Sequence, residues 1–360
     1  MSDLDGLPET AFSHDGWSGS SLSLIDRGDR RFILKRTSAA LDWIVRATND
    51  TDLREAWFAN ALASTGPDSA WIRMTSPYLG AAADGDGAAI LMPDLSEELI
   101  AWERPSLDPG VPVSLLESVL TTAARLHFIG RRLPAHGSVP WCPVPERLLL
   151  LARPAAEGYR ADGNPVGARF LAGWDAFDRK APAPARDLVR RLAADPRPLV
   201  AALGELPSTI LHGDLKLSNV ASMREGIAFI DWQMATYAPI AVELGWFLVS
   251  NVAQLPEGPE AILERYHGLA ESIAAGRGFG DARLDPGLGD WDAQVDLAIL
   301  VGLLLRGWRK GLDTEAELNL PTGLTAADDL AWWSERALEA AAGRLRGPRQ
   351  TCRQGSSPEA

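Results

Sequence analysis

Cysteine is scarce in this chain of 360 residues. Only Cys142 and Cys352 are present, and two thiols can build neither a disulfide framework nor a cysteine-rich zinc site. The opening residues, MSDLDG, also lack the cationic segment that begins a cleaved secretion signal. Both absences favour a reducing compartment, and we expect a cytoplasmic protein.

Long apolar runs are missing as well. The longest strongly apolar run covers residues 297–305, which is less than half of the ~20 residues that a membrane-spanning helix needs. We interpret it as a buried helix and expect no membrane association. Apolar residues still make up 46% of the chain, enough for the cores of the roughly two domains or lobes that the length predicts.

Positive charge is in deficit, with 35 Lys and Arg against 48 Asp and Glu and a net charge of −13. This balance argues against a protein that binds the nucleic-acid backbone, and we interpret the thirteen tryptophans as packing residues. An acidic cluster favours a cationic substrate, with an ordinary soluble surface as the open alternative. Its members are Asp281, Asp285, Asp290, Asp292 and Asp296.

The N-terminal part of the chain has the pattern of a small sheet. Residues 1–16 are polar, and we expect them to be flexible. Two β-rich runs, 21–26 and 31–36, flank a turn with Gly28-Asp29 at its centre, which predicts a tight hairpin. Lys35 then lies near the end of the second strand.

A helix and a second hairpin are predicted next. Turn and capping residues at 49–52 and 64–67 bound a helix with apolar residues at helical spacing. Glu55 belongs to its first turn. Residues 77–82 and 88–92 flank an Asp-Gly-Asp-Gly turn and predict two further strands.

These patterns divide the chain into an N-lobe at 17–92, a hinge and C-lobe at 93–345, and a disordered tail at 346–360. The C-lobe has mostly the 3.6-residue period of helices. One interruption stands out, because 209–211 and 226–231 are short strand-like runs separated by a polar loop.

That polar loop has the residue types of a phosphoryl-transfer site. It contains LHGDLKLSNV and is followed by FIDW, so Asn219 lies five residues after Asp214 and Asp231 ends the next strand. Kinases place an Asp, an Asn and a second Asp at this spacing. Two carboxylates and an amide oxygen suit Mg²⁺ better than zinc, so His212 is the weaker ligand candidate.

This segment resembles the signature of the aminoglycoside phosphotransferase and choline kinase family, small-molecule kinases with a protein-kinase-like fold. A weaker resemblance extends from about residue 17 to about residue 308. It implies an α+β, two-lobed protein-kinase-like fold with a small β-rich N-lobe and a larger, mainly helical C-lobe. ATP would lie in the cleft between the lobes.

The resemblance also implies roles for single residues. Asp214 resembles the catalytic Asp, and Asn219 and Asp231 resemble the residues that hold Mg²⁺. Lys35 resembles the strand lysine that contacts the α- and β-phosphates, with Glu55 as its ion-pair partner. His212 would shape the loop.

Two further segments are implied to bind the nucleotide. Residues 17–21 resemble the phosphate-covering turn, although one glycine does not make a full G-x-G-x-x-G. Contacts to phosphate are expected from Ser18, Gly19, Ser20 and Ser21. Residues 90–95 occupy the place of the adenine hinge, with Met92 and Asp94 as candidates.

Four positions allow a second interpretation or depart from the family pattern. Asp52 and Glu55 together are a helix-capping signature, which leaves the role of Glu55 open. Leu217 stands where proline is common and Gln233 where an acid is frequent. Glu243 replaces a structural Asp and is one methylene longer, so it could bend the loop that it supports.

The resemblance predicts an ATP- and Mg²⁺-dependent phosphotransferase that acts on a hydroxyl of an aminoglycoside-, choline- or sugar-like molecule. No APE-like segment of protein kinases occurs between Asp231 and Glu243. One alternative is a catalytically weak nucleotide-binding regulator of the same fold. Another is a metal-dependent phosphohydrolase that uses His212, Asp214 and Asp231 as ligands. The oligomeric state stays open.

Overall fold

The chain folds into a small β-rich N-lobe and a larger helical C-lobe, which confirms the predicted fold class. The computed structural model describes residues 8–12, 17–64, 77–100, 110–131, 139–275 and 287–345. The predicted disordered tail, most of the predicted flexible N-terminus, and Asp281 and Asp285 lie outside the described residues.

An antiparallel sheet of five strands in the order β1-β2-β3-β5-β4 forms the described part of the N-lobe sheet. Its strands are β1 (Glu9–Phe12), β2 (Ser21–Arg27), β3 (Arg30–Thr37), β4 (Gly80–Asp84) and β5 (Gly87–Pro93). Both predicted hairpins are confirmed, with turns at Gly28-Asp29 and at residues 85–86.

Strand β1 lies inside the predicted flexible terminus, so that prediction is wrong for residues 9–12. The strand is largely exposed, and its four residues, ETAF, are too few to form a pattern that would predict it. It pairs with β2, and Arg36 on β3 holds Glu9 through two hydrogen bonds of 2.7 and 2.8 Å. The edge of a sheet formed elsewhere in the chain therefore orders this segment.

Two helices follow β3, namely α1 (Trp43–Ala47), which the sequence did not predict, and α2 (Arg54–Ser64). Helix α2 begins after the predicted Asp52 cap. The Asp50 carboxylate accepts the backbone N–H of Arg54 at 2.9 Å, and the Arg54 guanidinium donates to the carbonyl of Gln233 at 2.6 Å. This arginine anchors α2 to the C-lobe.

The C-lobe is built around one long helix, α11, which packs against α6, α9 and α12. Residues 297–305 of α11 are buried, as predicted. Among the described helices, none combines the length and the apolar character that crossing a membrane requires. The C-lobe helices are α3 (Val113–Gly130), α4 (Val144–Leu149), α5 (Arg153–Ala161), α6 (Pro165–Lys180), α7 (Ala183–Ala194), α8 (Arg197–Gly204), α9 (Ile240–Ser250), α10 (Pro259–Ala274), α11 (Trp291–Glu315) and α12 (Ala326–Arg344).

Two short antiparallel pairs interrupt the helices and carry the polar loop. Strand β6 (Thr209–Leu211) pairs with β9 (Thr236–Ala238), and β7 (Val220–Met223) pairs with β8 (Gly226–Phe229). Strand β8 ends two residues before the predicted boundary at Asp231. The chain turns sharply there and enters a short 3-10 helix at Trp232–Met234.

The crossing of α9 and α11 generates a stability prediction. A Cβ atom added at Gly245 would lie 2.3 Å from the backbone oxygen of Ala298, so one of the helices must shift. We expect Gly245→Ala to lower the free energy of unfolding by about 1–3 kcal/mol in denaturant titrations. Gly268→Ala on the exposed face of α10, where nothing lies within 4 Å, should instead raise it by about 0.5–1 kcal/mol. Equal stability of the two variants would contradict the close crossing.

Candidate active site

A buried ion cluster joins three separate elements. The Lys35 ammonium on β3 lies 2.6 Å from Oε2 of Glu55 on α2 and 2.8 Å from Oδ1 of Asp231 after β8. Burial alone would lower the pKa of Lys35, but the carboxylates of Asp231 and Glu55 raise it above its ordinary value. Burial likewise opposes ionisation of Asp231, yet Lys35 and then Lys216 lower its pKa to about 2. The lysine is therefore cationic and Asp231 anionic at neutral pH.

These contacts decide the role left open for Glu55. Its carboxylate lies against Lys35 and also accepts the hydroxyl hydrogen of Tyr78. The backbone N–H of Arg54 at the start of α2 is satisfied by Asp50. The geometry therefore matches the lysine partner and differs from the Asp52–Glu55 capping signature.

Tyr78 is a part of this cluster that the sequence analysis missed, since no motif surrounds it. Its buried hydroxyl accepts the backbone N–H groups of Asp231 at 3.0 Å and Trp232 at 3.2 Å while it donates to Glu55. Asp231 has φ 67° and ψ 61°, a left-handed conformation that is costly for a residue with a Cβ atom. The tyrosine thus stabilises a strained turn and links it to α2.

The polar loop is held by Glu243, the residue that replaces a structural Asp. Its two oxygens accept the backbone N–H of Gly213 at 2.6 Å and that of His212 at 3.0 Å. Burial would raise the pKa of Glu243, but a 2.9 Å contact with the His127 ring helps to lower it. Gly213 has φ 80°, and a Cβ atom there would lie 1.8 Å from the Met234 oxygen. The Glu243 side chain therefore binds two consecutive backbone N–H groups of the loop, one with each carboxylate oxygen.

His212 is fully buried, and both of its ring nitrogens have partners. Nε2 lies 2.9 Å from the carbonyl oxygen of Ile230, and Nδ1 lies 3.2 Å from the backbone N–H of Asp214. These contacts fit a neutral ring with hydrogen on Nε2. Within the described ranges, no group of three or more His, Cys, Asp or Glu could hold a metal. The geometry suits a loop-shaping role and leaves no lone pair of His212 for a metal.

Asp214 and Asn219 lie side by side in the loop. The Asn219 amide nitrogen donates to the backbone oxygen of Asp214 at 2.9 Å and to its Oδ2 at 3.0 Å, and Lys216 donates to the same Oδ2 at 2.9 Å. This pattern sets the orientation of the amide, so its oxygen points away from Asp214. Across the described residues no donor reaches Asn219 Oδ1 or Asp231 Oδ2. Two such oxygens fit Mg²⁺, which prefers hard oxygen ligands.

Two more residues support the loop and were also missed. Arg147 donates from Nε to the carbonyl oxygen of Gly213 at 2.8 Å. Asn251 accepts the backbone N–H of Leu217 at 2.7 Å. Arg147 lies in α4 and Asn251 directly follows α9. Neither lies in a recognisable motif, so only the tertiary structure brings them to the loop.

The turn at residues 17–21 is anchored to α1. The Ser20 hydroxyl is buried and donates to Asp42 at 2.7 Å, while the Ser18 carbonyl accepts the backbone N–H of Trp43 at 3.0 Å. Gly19 has φ 94° and is exposed, and Ser21 begins β2. The hydroxyl of Ser20 is therefore engaged within the protein, and phosphate contacts by the rest of the turn stay a prediction.

The predicted hinge residues differ in their surroundings. Met92 is buried in β5 opposite Ile33. The Asp94 backbone N–H donates to the Arg31 carbonyl at 3.0 Å, and its carboxylate contacts the Arg31 guanidinium at 3.0 Å and the Ser96 hydroxyl at 2.6 Å. The N–H and the carboxylate of Asp94 are thus already paired, and base contacts by Met92 and by the Asp94 carbonyl stay a prediction.

Comparison with known proteins gives similar solved structures and one matching protein family. The microcompartment-associated aminopropanol kinase is 13% identical, with a TM-score of 0.50, and the match covers 96% of this chain and 97% of that one. Choline kinase from Cryptosporidium parvum Iowa II is 10% identical, with a TM-score of 0.49 and coverage of 94% and 88%. At 13% identity, the match to the aminopropanol kinase shows a shared fold alone. No curated protein matches the chain. The phosphotransferase enzyme family matches residues 10–284, and the chain therefore belongs to that family.

Proposed function

We propose that the protein transfers the γ-phosphate of ATP to a hydroxyl group of a small molecule. The observation that carries this proposal is the cluster of Lys35, Glu55 and Asp231 across the two lobes, next to the loop of Asp214 and Asn219. The loop and the cluster are directly joined, because the backbone N–H of Ile230 donates to the Asn219 carbonyl at 3.0 Å. Membership of the phosphotransferase family supports the same reaction class.

Each residue has a defined task in this reaction. Lys35 orients the nucleotide phosphates. Asp214 accepts the proton of the acceptor hydroxyl while the hydroxyl oxygen bonds to the γ-phosphorus and ADP leaves. Lys216 and Asn219 hold the Asp214 carboxylate in one position. Mg²⁺ bound by the free oxygens of Asn219 and Asp231 would neutralise phosphate charge.

The connection after Asp231 supports a small acceptor rather than a protein. Strand β9 ends at Ala238 and α9 begins at Ile240, so the chain has no room there for the activation segment of a protein kinase. The phosphohydrolase alternative needs His212 as a ligand, and both nitrogens of that ring are occupied.

The nucleotide site is tested by removing the Asp231 carboxylate. Mg-ATP at 100 times its Kd should stabilise the wild type by about 2.7 kcal/mol, raising its thermal unfolding midpoint. We expect Asp231→Ala to lose most of the Mg²⁺-dependent part of this shift. Asp187→Ala on the exposed surface of α7 is the control and should keep it. A full Mg²⁺-dependent shift in Asp231→Ala would contradict the site.

The catalytic role is tested by Asp214→Asn, which keeps the shape of the side chain. Loss of the proton acceptor should slow acceptor-dependent ADP formation by about 100- to 10,000-fold, while the Mg-ATP thermal shift is largely retained. Near-normal turnover would exclude Asp214 as the acceptor of the proton. A wild type that binds Mg-ATP but phosphorylates no hydroxylated amine, sugar or hydroxy acid would favour the regulator instead.

The link made by Tyr78 generates a third prediction. Tyr78→Phe keeps the ring but leaves two backbone N–H groups and Glu55 without the hydroxyl. We expect weaker Mg-ATP binding, by about 5- to 30-fold, since such a loss costs about 1–2 kcal/mol. Isothermal titration measures it, with Tyr237→Phe as the control because that hydroxyl has no hydrogen bond within the described ranges. Equal affinities of the two variants would show that Tyr78 does not position Asp231.

A further inference from the structure

An unpaired arginine lies at an interruption of α11. Arg306 has φ −134° and ψ 19° inside that helix, and its guanidinium carbon lies 5.5 Å from the ring centroids of Trp246 and Trp308. Its Nε is buried and has no hydrogen-bond partner in the part of the chain that is described, where no carboxylate lies within ion-pair distance either. The Arg306 side chain as a whole is half-buried, and a polar nitrogen shut off from water without a hydrogen bond is costly, so a bound anion would supply the acceptor that Nε lacks.

This arginine lies on the Asp214 side of the C-lobe. The Trp246 ring also contacts Arg147, whose guanidinium carbon is 4.4 Å from the ring centroid. The Nε of Arg147 donates to the Gly213 carbonyl. Burial, and to a smaller extent the charge of Arg309, lower the pKa of Arg306 to about 10, although the carboxylates of Asp313 and Asp214 act to raise it. Arg306 is therefore still cationic at neutral pH, and it interacts electrostatically with the Asp214 carboxylate.

Two further arginines lie nearby, because Arg309 follows Arg306 by three residues in α11 and the Trp17 ring beside Arg169 lies 6.5 Å from the Trp308 ring. Arg309 pairs with Asp313 at 2.8 Å, while the Arg169 guanidinium lies 4.0 Å from the Trp17 ring centroid and has no ion pair among described residues. After burial, the charge of Arg309 lowers the pKa of Arg169, so these cations repel one another. Among the residues that the structure describes, Asp313 is the one acidic side chain that pairs with any of these three arginines, and it is engaged with Arg309. Positive charge is left uncompensated here, although the whole chain is acidic.

We infer that the acceptor carries an oxyanion, a carboxylate or a phosphate ester, which Arg306 binds with Arg169 beside the hydroxyl that Asp214 activates. The inference rests on the proposed phosphotransferase function. Guanidinium groups bind such oxyanions through two parallel hydrogen bonds. Lys35 is the proposed cation for the nucleotide phosphates, whereas Arg306 shares the Trp246 ring with Arg147, which donates to the loop of Asp214.

The acidic cluster that favoured a cationic acceptor does not oppose this inference. Asp290 and Asp296 both pair with Arg344, at 3.2 and 2.8 Å. Asp296 also precedes Arg306 by ten residues in α11, which is about 15 Å along a helix axis. These carboxylates are compensated and lie away from the charge that surrounds Asp214.

The test compares acceptors that share a hydroxyl and differ in charge. The acceptors, supplied at constant ionic strength, are D-glycerate, glycerol 3-phosphate, glycerol and choline. ADP formation with Mg-ATP measures turnover. Calorimetry in the presence of an unreactive ATP analogue measures the affinity for each acceptor. We expect kcat/KM and affinity for one of the two anions to exceed those for glycerol and choline by about 10- to 100-fold, as for hydrogen bonds to a charged group. The preferred anion distinguishes a carboxylate from a phosphate acceptor.

Variants of the full chain assign that preference to the arginines. Arg306→Met keeps an apolar stem between the two indoles and should abolish the preference, and Arg169→Met, at an exposed position, should reduce it. Arg336→Met on α12 removes a half-buried arginine that is paired with Glu339, and it is the matched control. The Mg-ATP thermal shift shows that each variant is folded and binds nucleotide.

Each outcome bears on one of the two proposals. The inference of an anionic acceptor would be overturned if the wild type preferred glycerol or choline, or if it neither bound nor phosphorylated either anion. It would also be overturned if Arg306→Met and Arg169→Met both kept the wild-type preference for an anion. Loss of the Mg-ATP shift in Arg306→Met alone would overturn it too, because Arg306 would then serve the nucleotide. A wild type with no Mg-ATP shift at all would instead overturn the phosphotransferase function.

Discussion

The contact of Lys35 with Glu55 and Asp231 is the interaction on which the arrangement of the site depends. It ties the N-lobe sheet and α2 to the end of the β7–β8 hairpin in the C-lobe. One buried ammonium between two carboxylates is stable only if all three elements are in place, since removal of any member leaves a buried charge without its partner. Tyr78 adds neutral hydrogen bonds to the same junction.

The polar loop follows a different principle, because backbone groups rather than ion pairs hold it. Glu243 accepts two consecutive backbone N–H groups, and Arg147 donates to a carbonyl of the same loop. Such contacts set the conformation and leave the Asp214 side chain to Lys216 and Asn219. The two parts of the site are therefore held differently, by ion pairs around Lys35 and by hydrogen bonds to the backbone around Asp214.

Local sequence patterns predicted those elements whose determining residues are neighbours in the chain. Tight turns predicted both hairpins of the N-lobe, and the spacing of Asp214, Asn219 and Asp231 predicted a loop with oxygen ligands. Signals failed where the stabilising partner is remote in sequence. The short strand β1 is ordered by the edge of the sheet and by Arg36, and the start of α2 is set by Asp50.

The sequence by itself determined the fold class, the family and the residue types of the site, because hydrophobic periodicity, turn residues and the loop motif act over short distances. Tertiary structure alone decided that Glu55 faces Lys35, that Tyr78 contacts the turn at Asp231, and that Arg306 lies within electrostatic reach of Asp214. Residues far apart in the chain create these relations, and their charges and hydrogen bonds acquire a partner only when packing brings them together.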